Sequence, residues 1–283
     1  MSEYGVNSMV APLARVAVRP PSLRGDYAVA HWAQPLDLGR LAEQHAAFVD
    51  LLTRLGCGVE VLAPAADMPD AIFTYDPAFV VPSGVIELRA AKAVRAGEPP
   101  LLTADIADLG VPVVGRITGD ATVDGGDMCW LDATTLAVGR TYRTNQAAIE
   151  QLRPMLAADG VRIETFDMPH DLGPDYCLHL MSVVSPVRED LAVVFERLAP
   201  VPLLQALRTR GIEWVSVPEE DYLSLGCNVL TVRPGVVVMA KGNDGTAALL
   251  RTHGVEVHEY AASEINKGEG GPTCLTRPIL RTP

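Results

Sequence analysis

Cys274, near the C-terminal end of the chain, is the residue with the clearest potential for chemistry. Three glycines and a proline precede it within the stretch 268–273, and an apolar run follows it. Glycines permit positive φ and let a ligand approach the backbone closely, so this pattern predicts a tight turn that presents the thiol to a pocket at the start of a short strand. The alternative is a small buried hydrophobe, the commoner fate of a lone cysteine.

A thiolate nucleophile needs a side chain that moves protons, and His179 is the best candidate for that role. It lies in the apolar segment 176–182, which we interpret as a strand, and on a strand Met181 shares its face. The alternative is a hydrogen-bonded core histidine, but the presence of Cys274 favours the catalytic interpretation. The other five histidines lie in loop- or helix-like contexts that suit the role less: His31, His45, His170, His253 and His258.

Aspartates occur where an apolar strand or a plain turn does not need them. Asp76 lies in the apolar segment 72–81, where a carboxylate is costly unless it is paired or solvated. We interpret it as a carboxylate that faces a buried cation; the alternative is a cap on a backbone turn. Asp124 and Asp127 flank a Gly-Gly turn, and the neighbouring positions lack the further oxygen ligands of a calcium loop.

Arg143 directly precedes Thr144, which we expect to cap the N-terminus of a helix. An arginine at such a point is able to hold a carboxylate through two parallel hydrogen bonds. The alternative is a solvated surface arginine.

These residues are distributed over a repeat. A helix-like run, a glycine and a short β-branched strand recur five times, and the glycines lie about 50 residues apart. A pair of strands precedes each helix, so the predicted unit is ββαβ. The predicted helices are 38–55, 100–109, 144–158, 201–210 and 244–253, and the predicted strand pairs are 72–81 with 85–88, 128–130 with 135–138, 183–185 with 191–194, and 229–232 with 236–239.

The first unit, which starts at 15–19, lacks one strand. A strand after Cys274 supplies it and closes a ring, and a ring of repeats brings the starts of several units around one central pocket. We therefore expect an α/β fold in which Cys274 lies where the two ends of the chain meet.

Composition excludes several classes of function. The 283 residues carry a net charge of −12, which argues against a nucleic-acid partner, and no apolar run is long enough to span a membrane. The N-terminal residues do not resemble a secretory signal, and five scattered cysteines without a Cys-x-x-Cys pair indicate a reducing cytoplasm. We expect no cofactor and no metal, and the oligomeric state is left open, a homodimer included.

Short motifs in this chain resemble, in order, those of the dimethylarginine dimethylaminohydrolases of the guanidine-modifying (pentein) superfamily. They are MPDAIF at 68–73, DPA at 76–78, DGGD at 124–127, RTNQ at 143–146, LHL at 178–180 and TC at 273–274. The resemblance implies a five-bladed ββαβ propeller with pseudo-fivefold symmetry, in agreement with the repeat. It also implies one domain over residues 1–283, whose C-terminal strand closes the first repeat.

The resemblance implies a small guanidino molecule as the partner, and it implies roles for individual residues as well. Cys274 would attack the guanidino carbon of an N-methylated arginine, and His179 would act as acid and then base, so that citrulline and dimethylamine are released through a covalent thiouronium. Asp124 would hold His179 or the guanidinium. The implied substrate-binding residues are Asp76 for the guanidino nitrogens, Asp70 near the α-amino group, Arg89 and Arg143 for the α-carboxylate, Leu23 in a flexible lid at 19–23, and Met181 beside the methyl groups.

Departures from the family's pattern leave other functions open. Tyr75 stands where the family often has a glutamate, and the segment around Cys274 resembles arginine deiminases equally well. Arginine deiminases typically carry an aspartate two residues after the histidine, where this chain has Met181. The alternatives are an arginine deiminase, an amidinotransferase in which an amine replaces water, and a catalytically silent binder of cationic amino acids.

Overall fold

The computed structural model describes residues 3–282 and arranges them as five three-stranded sheets with helices between their strands. The strands are β1 (Leu13–Val18), β2 (Gly58–Val61), β3 (Ala78–Val81), β4 (Gly84–Glu87), β5 (Val113–Arg116), β6 (Met128–Asp132), β7 (Thr135–Arg140), β8 (Arg162–Asp167), β9 (Val184–Arg188), β10 (Leu191–Val194), β11 (Glu213–Ser216), β12 (Leu230–Arg233), β13 (Val236–Ala240), β14 (Glu256–Tyr260) and β15 (Arg277–Arg281). The helices are α1 (Leu38–Arg54), α2 (Glu98–Asp108), α3 (Gln146–Ala157), α4 (Val201–Thr209), α5 (Glu219–Tyr222) and α6 (Asp244–Thr252). None of the helices within residues 3–282 is long and apolar enough to cross a membrane.

All five sheets share one pattern of pairing. The middle strand of each sheet pairs antiparallel with one neighbour and parallel with the other. A long helix joins the two parallel strands, as a parallel pair requires a crossover connection. The fivefold ββαβ repeat predicted from the sequence is therefore confirmed; the short helix α5 is an addition that the repeat did not predict.

The first sheet is completed by the other end of the chain. β15 pairs antiparallel with β1, and β2 lies on the far side of β1. β15 also contacts β3 of the next sheet, just as β9 contacts β12. Cys274 lies on a turn shortly before β15, so the thiol lies where the two ends of the chain meet.

Local sequence explains where the helices begin and end. Asp37 and Asn145 each accept a hydrogen bond from the first turn of α1 and α3, and so act as N-caps. The expectation that Thr144 caps α3 is wrong by one residue. The repeated glycine after each of the five long helices has a left-handed backbone, for example a φ of 93° at Gly56 and 71° at Gly160, which a residue with a Cβ adopts only with strain.

One predicted strand is shorter than expected. β3 begins at Ala78 rather than at 72, because residues Pro69–Ile72 form a 3₁₀ turn and the chain then turns again through Asp76. Asp76 therefore precedes a strand instead of lying within one. Residues of β3 and β4 are buried at every position, which accounts for their apolar sequence up to Glu87 at the end of β4.

His179 also precedes a strand, so the prediction that it lies on one is wrong. It caps a 3₁₀ turn, Leu180–Ser182, that leads into β9. The physical reason is local satisfaction of backbone donors: the His179 N–H donates to Ser182 Oγ at 3.0 Å, and the Leu180 N–H donates to Asp127 Oδ1 at 2.9 Å. The argument that Met181 shares a face with His179 by strand alternation fails for the same reason.

Candidate active site

The segments that lead into five equivalent strands meet at one place. Asp76 comes before β3, Asp124 before β6, His179 before β9, Asn228 before β12 and Cys274 before β15. Each of these strands forms the antiparallel edge of its sheet, so their leading segments occupy corresponding positions of the repeat. The sequence predicted this convergence for four of the five side chains but did not single out Asn228.

The Cys274 side chain is held by Asn228. The amide Nδ2 of Asn228 donates to Cys274 Sγ at 3.0 Å, while its Oδ1 accepts a hydrogen bond from the Thr273 N–H at 3.0 Å. Burial, followed by the nearby carboxylate of Asp76, raises the pKa of the Cys274 thiol to about 11. Burial therefore outweighs the hydrogen bonds from Gly271 and Asn228, which favour the thiolate.

The raised thiol pKa predicts slow alkylation at neutral pH. Without substrate, the rate at which iodoacetamide modifies Cys274 should rise about tenfold per pH unit from pH 7 to 9.5, because only the thiolate reacts. Peptide-resolved mass spectrometry measures the rate at Cys274 separately from the other thiols. A rate that levels off near pH 7 would contradict the burial argument.

The His179 ring lies between a thiol and a carboxylate. Its Nδ1 is 3.5 Å from Cys177 Sγ, and its Nε2 is 3.3 Å from Asp124 Oδ2. Burial opposes protonation, but Cys177, Asp127, Asp124 and Asp76 together outweigh it and hold the pKa of His179 well above its usual range. The imidazole is therefore set up as a proton donor at neutral pH.

The Gly-Gly turn allows the ring to lie this close. A Cβ on Gly126 would come within 2.2 Å of His179 Nδ1, and a Cβ on Gly125 within 1.9 Å of the Tyr75 carbonyl oxygen. Asp127, the second aspartate of the turn, accepts hydrogen bonds from the hydroxyls of Thr141 and Thr144. Because its Oδ1 also accepts the Leu180 N–H, Asp127 joins the loop 141–144 to the turn that follows His179.

Asp76 faces a buried cation, as the sequence indicated, and that cation is Arg95 of the protein itself. Arg95 Nη1 lies 2.7 Å from Asp76 Oδ2, and the Gly126 N–H donates to Asp76 Oδ1 at 3.0 Å. Burial opposes ionisation of Asp76, but Arg95 and then His179 outweigh it and lower its pKa. Arg95 is also paired with Glu98 at 2.8 Å, and burial raises the pKa of Glu98 to about 7.

Asp70 and Tyr75 are each held in position by contact with a neighbouring side chain. Asp70 Oδ1 accepts a hydrogen bond from Trp32 Nε1 at 2.7 Å, and the carboxylate borders the same cavity as Asp76. The Tyr75 ring is buried with the Arg277 guanidinium 4.2 Å above its centroid. The tyrosine that replaces the family's glutamate is therefore a packing residue.

Of the two arginines predicted to bind a carboxylate, the structure brings only Arg143 to the cavity. Its Nη1 lies 3.9 Å from Asp124 Oδ2, and its buried Nη2 has no hydrogen-bond partner among residues 3–282. Arg89 is exposed and is absent from the lining of the cavity, whereas Lys92 borders it.

The site has two compartments that meet at Cys177, His179, Glu269 and Cys274. The polar compartment, about 40 Å³, also includes Asp70, Asp76, Arg95 and Arg143 in its lining. The other is larger, about 200 Å³, and Met181 lies in its wall. Leu23 lines neither; its side chain is 65% exposed and borders a separate groove beside α1.

Sequence reasoning missed Arg95, Cys177 and Asn228. Cys177 had a signal, because it lies two residues before His179 in a segment interpreted as a strand, where such residues share a face. Asn228 had a signal in the repeat, since it precedes β12 as Cys274 precedes β15. For Arg95 the signal was weak: an Arg and a Glu three residues apart are common on any helical surface.

Solved structures with the same fold were found among enzymes. A cysteine-to-serine mutant of dimethylarginine dimethylaminohydrolase (DDAH) from Pseudomonas aeruginosa, complexed with citrulline, has a TM-score of 0.79 and 20% identity over 95% of this chain and 100% of that chain. The N-terminal domain of ArgZ, an arginine dihydrolase of cyanobacteria bound to product, has a TM-score of 0.81 and 18% identity over 94% and 97% of the two chains. The fold is therefore the pentein propeller that the sequence predicted.

Sequence comparison assigns the chain to a family. The sequence model of the family described as arginine deiminase matches residues 60–201 and 196–281, and the chain belongs to this family. Arginine deiminase from Rhodococcus erythropolis is 30% identical over 254 residues, 76% of this chain and 61% of its own length. The uncharacterised protein YkgA from Bacillus subtilis is 26% identical over 239 residues, 84% of this chain and 80% of its own length.

Proposed function

We propose that this protein is a cysteine-dependent hydrolase that acts on the guanidino carbon of N-methylated arginine. One observation carries the proposal: the Cys274 thiol and the His179 imidazole border the same cavity as the carboxylate of Asp76. A guanidinium spreads its charge over three nitrogens and is a poor electrophile, so its hydrolysis needs a strong nucleophile, a proton donor and a carboxylate that holds the cation. A protein that only binds cationic amino acids would require neither the thiol nor the histidine.

In the first step the Cys274 thiolate attacks the guanidino carbon. Burial keeps the thiol protonated in the unliganded protein, so we assign its ionisation to the substrate complex, where the bound cation favours the thiolate and the thiol proton passes to solvent. The Asn228 amide, already 3.0 Å from Sγ, donates to the thiolate. His179 then protonates the departing amine, and the carbon–nitrogen bond breaks to leave an S-alkylthiouronium.

In the second step His179 reverses its role. The neutral imidazole takes a proton from water, the resulting hydroxide adds to the thiouronium carbon, and the carbon–sulfur bond breaks to release citrulline. Asp124 supports both steps, since its Oδ2 lies 3.3 Å from His179 Nε2 and stabilises the imidazolium.

The amino-acid end of the substrate is assigned to the polar compartment. Arg143 has a buried Nη2 without a partner among the described residues, which suits an incoming carboxylate. Asp70 lines the same compartment and suits the α-amino group. A role of Arg89 in binding the α-carboxylate stays a prediction; Lys92, unlike Arg89, borders the polar compartment.

Met181 supports a methylated substrate. A thioether accepts hydrogen bonds poorly but packs well against methyl groups. An unsubstituted NH₂ beside it would be desolvated without a partner at a cost of about 1–3 kcal/mol, whereas a buried methyl group contributes about 0.8 kcal/mol. We therefore expect kcat/KM to favour methylated over plain arginine by about one to three orders of magnitude.

The second candidate is an arginine deiminase, which the family model and the Rhodococcus relative favour. The experiment is a comparison of kcat/KM for arginine, N-methylarginine and N,N-dimethylarginine, with citrulline and the released amine both quantified. Met181→Asp should shift the preference toward plain arginine, and Met181→Leu, which keeps an apolar side chain, should not. Ammonia release from plain arginine at equal or better efficiency would assign the deiminase activity instead.

A further inference from the structure

The larger compartment of the site is apolar and exceeds what a methyl group needs. Its volume is about 200 Å³, and its wall includes Leu178, Met181, Tyr222 and Leu225. A cavity of about 150 Å³ lined by aliphatic and aromatic side chains is able to take up a benzene molecule. One or two methyl groups would leave most of this compartment unfilled.

Large apolar side chains surround the mouth of the compartment in an exposed position. Leu172 is 62% exposed, Tyr176 is 52% exposed and Leu223 is 80% exposed, and all three belong to its lining. A cluster of exposed apolar side chains at a cavity is typical of a binding site. Leu225, in the same wall, has a φ of 66°, a strained conformation for a leucine that persists only where the surrounding structure imposes it.

This compartment lies directly beside the reacting groups. Cys274 and His179 line both compartments, so a guanidino carbon at Cys274 Sγ has the polar compartment on one side and the apolar compartment on the other. The polar side is assigned to the amino-acid end. The nitrogen substituent that departs with the amine therefore extends into the apolar side.

We propose that the preferred substrate carries, on its departing guanidino nitrogen, an apolar alkyl or arylalkyl group larger than methyl, which occupies the compartment lined by Leu172, Met181, Tyr222 and Leu223. This inference rests on the proposed function, because it requires Cys274 to attack a guanidino carbon. It extends that function from methylarginine to a class of bulkier N-substituted guanidines.

The reaction balances with water as the only second reactant. The Cys274 sulfur–carbon bond forms, the bond between that carbon and the substituted nitrogen breaks, and the His179 proton goes to the departing amine. Water then replaces the sulfur, which leaves a ureido product and the free enzyme, and the released amine takes up the proton that the thiol gave to solvent and becomes an alkylammonium ion. Asp171 and Glu269 are the carboxylates that line the apolar compartment, and they suit the positive charge of that ammonium ion.

The test is a series of arginines that carry methyl, propyl or benzyl on one terminal nitrogen. Each added methylene that enters the compartment should raise kcat/KM about fourfold, so the propyl compound should exceed the methyl compound by about tenfold or more. Turnover of the methyl compound with no turnover of propyl or benzyl would overturn the inference, as would inhibition by the larger compounds without turnover. In both cases the proposed function would stand.

A double variant links the effect to the compartment. Leu172→Asp with Leu223→Asp should lower the propyl-to-methyl ratio of kcat/KM at least fivefold, because both changes make the mouth polar. Leu249→Asp, at an exposed leucine of α6 outside the lining, serves as the matched control and should keep the wild-type ratio. An unchanged ratio in the double variant would contradict the assignment. If no guanidine of the series is turned over and none labels Cys274, the proposed function itself fails.

Discussion

Cys274→Ser should abolish turnover of every guanidino substrate while the protein still folds and still binds the substrate. The hydroxyl replaces a thiol in a site already held by Asn228, so the change removes little volume and few contacts. A serine hydroxyl has far too high a pKa to attack a resonance-stabilised cation without a strong base beside it, and His179 is already protonated at neutral pH. The measurement is kcat by citrulline formation, together with substrate binding by calorimetry.

Two outcomes would remove Cys274 from the mechanism. One is residual activity above about a tenth of the wild-type rate, which no hydroxyl in this environment should support. The other is retained activity in Cys274→Ser together with loss in Cys177→Ser. That pattern would assign the nucleophile to Cys177, the second thiol that borders both compartments.

His179→Ala should lower kcat by at least about two orders of magnitude, because both steps lose their proton carrier. The second step should suffer as well, so a covalent adduct on Cys274 should accumulate and be visible by intact-protein mass spectrometry. His253→Ala, at an exposed histidine beside the C-terminal end of α6, is the control and should behave as wild type. Near-normal kcat in His179→Ala, with a large loss in another histidine variant, would overturn the assignment.

The pH profile tests the same residue independently. The pKa of His179 lies well above its usual range, so the imidazolium is present at neutral pH and is lost only as pH rises through that higher value. The rate of the first step should therefore fall on the alkaline side. Asp124→Asn removes a carboxylate that raises this pKa and should move the alkaline fall to lower pH; no movement would contradict the Asp124–His179 contact as its cause.

The repeat was readable from the sequence because its physical causes are local. Gly56 and Gly160 end helices in the left-handed region, and alternating or continuous apolar runs mark the strands that follow. These signals recur at a nearly constant interval, so the ββαβ unit, its fivefold repetition and the place of Cys274 beside the closing strand all followed from the chain alone. The helix boundaries were accurate to a few residues for the same reason.

The sequence did not determine the local shape of the site, because that shape depends on contacts between distant segments. His179 lies on a turn rather than a strand because the Leu180 N–H donates to Asp127, 53 positions earlier in the chain. Asp76 is paired with Arg95, 19 positions later in the same repeat, and Cys274 is held by Asn228 of another repeat. None of these pairs has a spacing that local periodicity reveals.

Residue types and their order along the chain were thus sufficient to predict a fivefold α/β fold in which a cysteine, a histidine and aspartates surround one central pocket. The protonation states of the site and the shape of its cavity depend on burial and on contacts in the folded protein. Burial raises the pKa of the Cys274 thiol and opposes protonation of His179, which the surrounding thiol and carboxylates outweigh. Packing also leaves an apolar compartment beside Cys274 with Met181 and Leu225 in its wall. Burial and the distances between charged groups are set by how the five repeats pack against one another, and a linear pattern carries no measure of either.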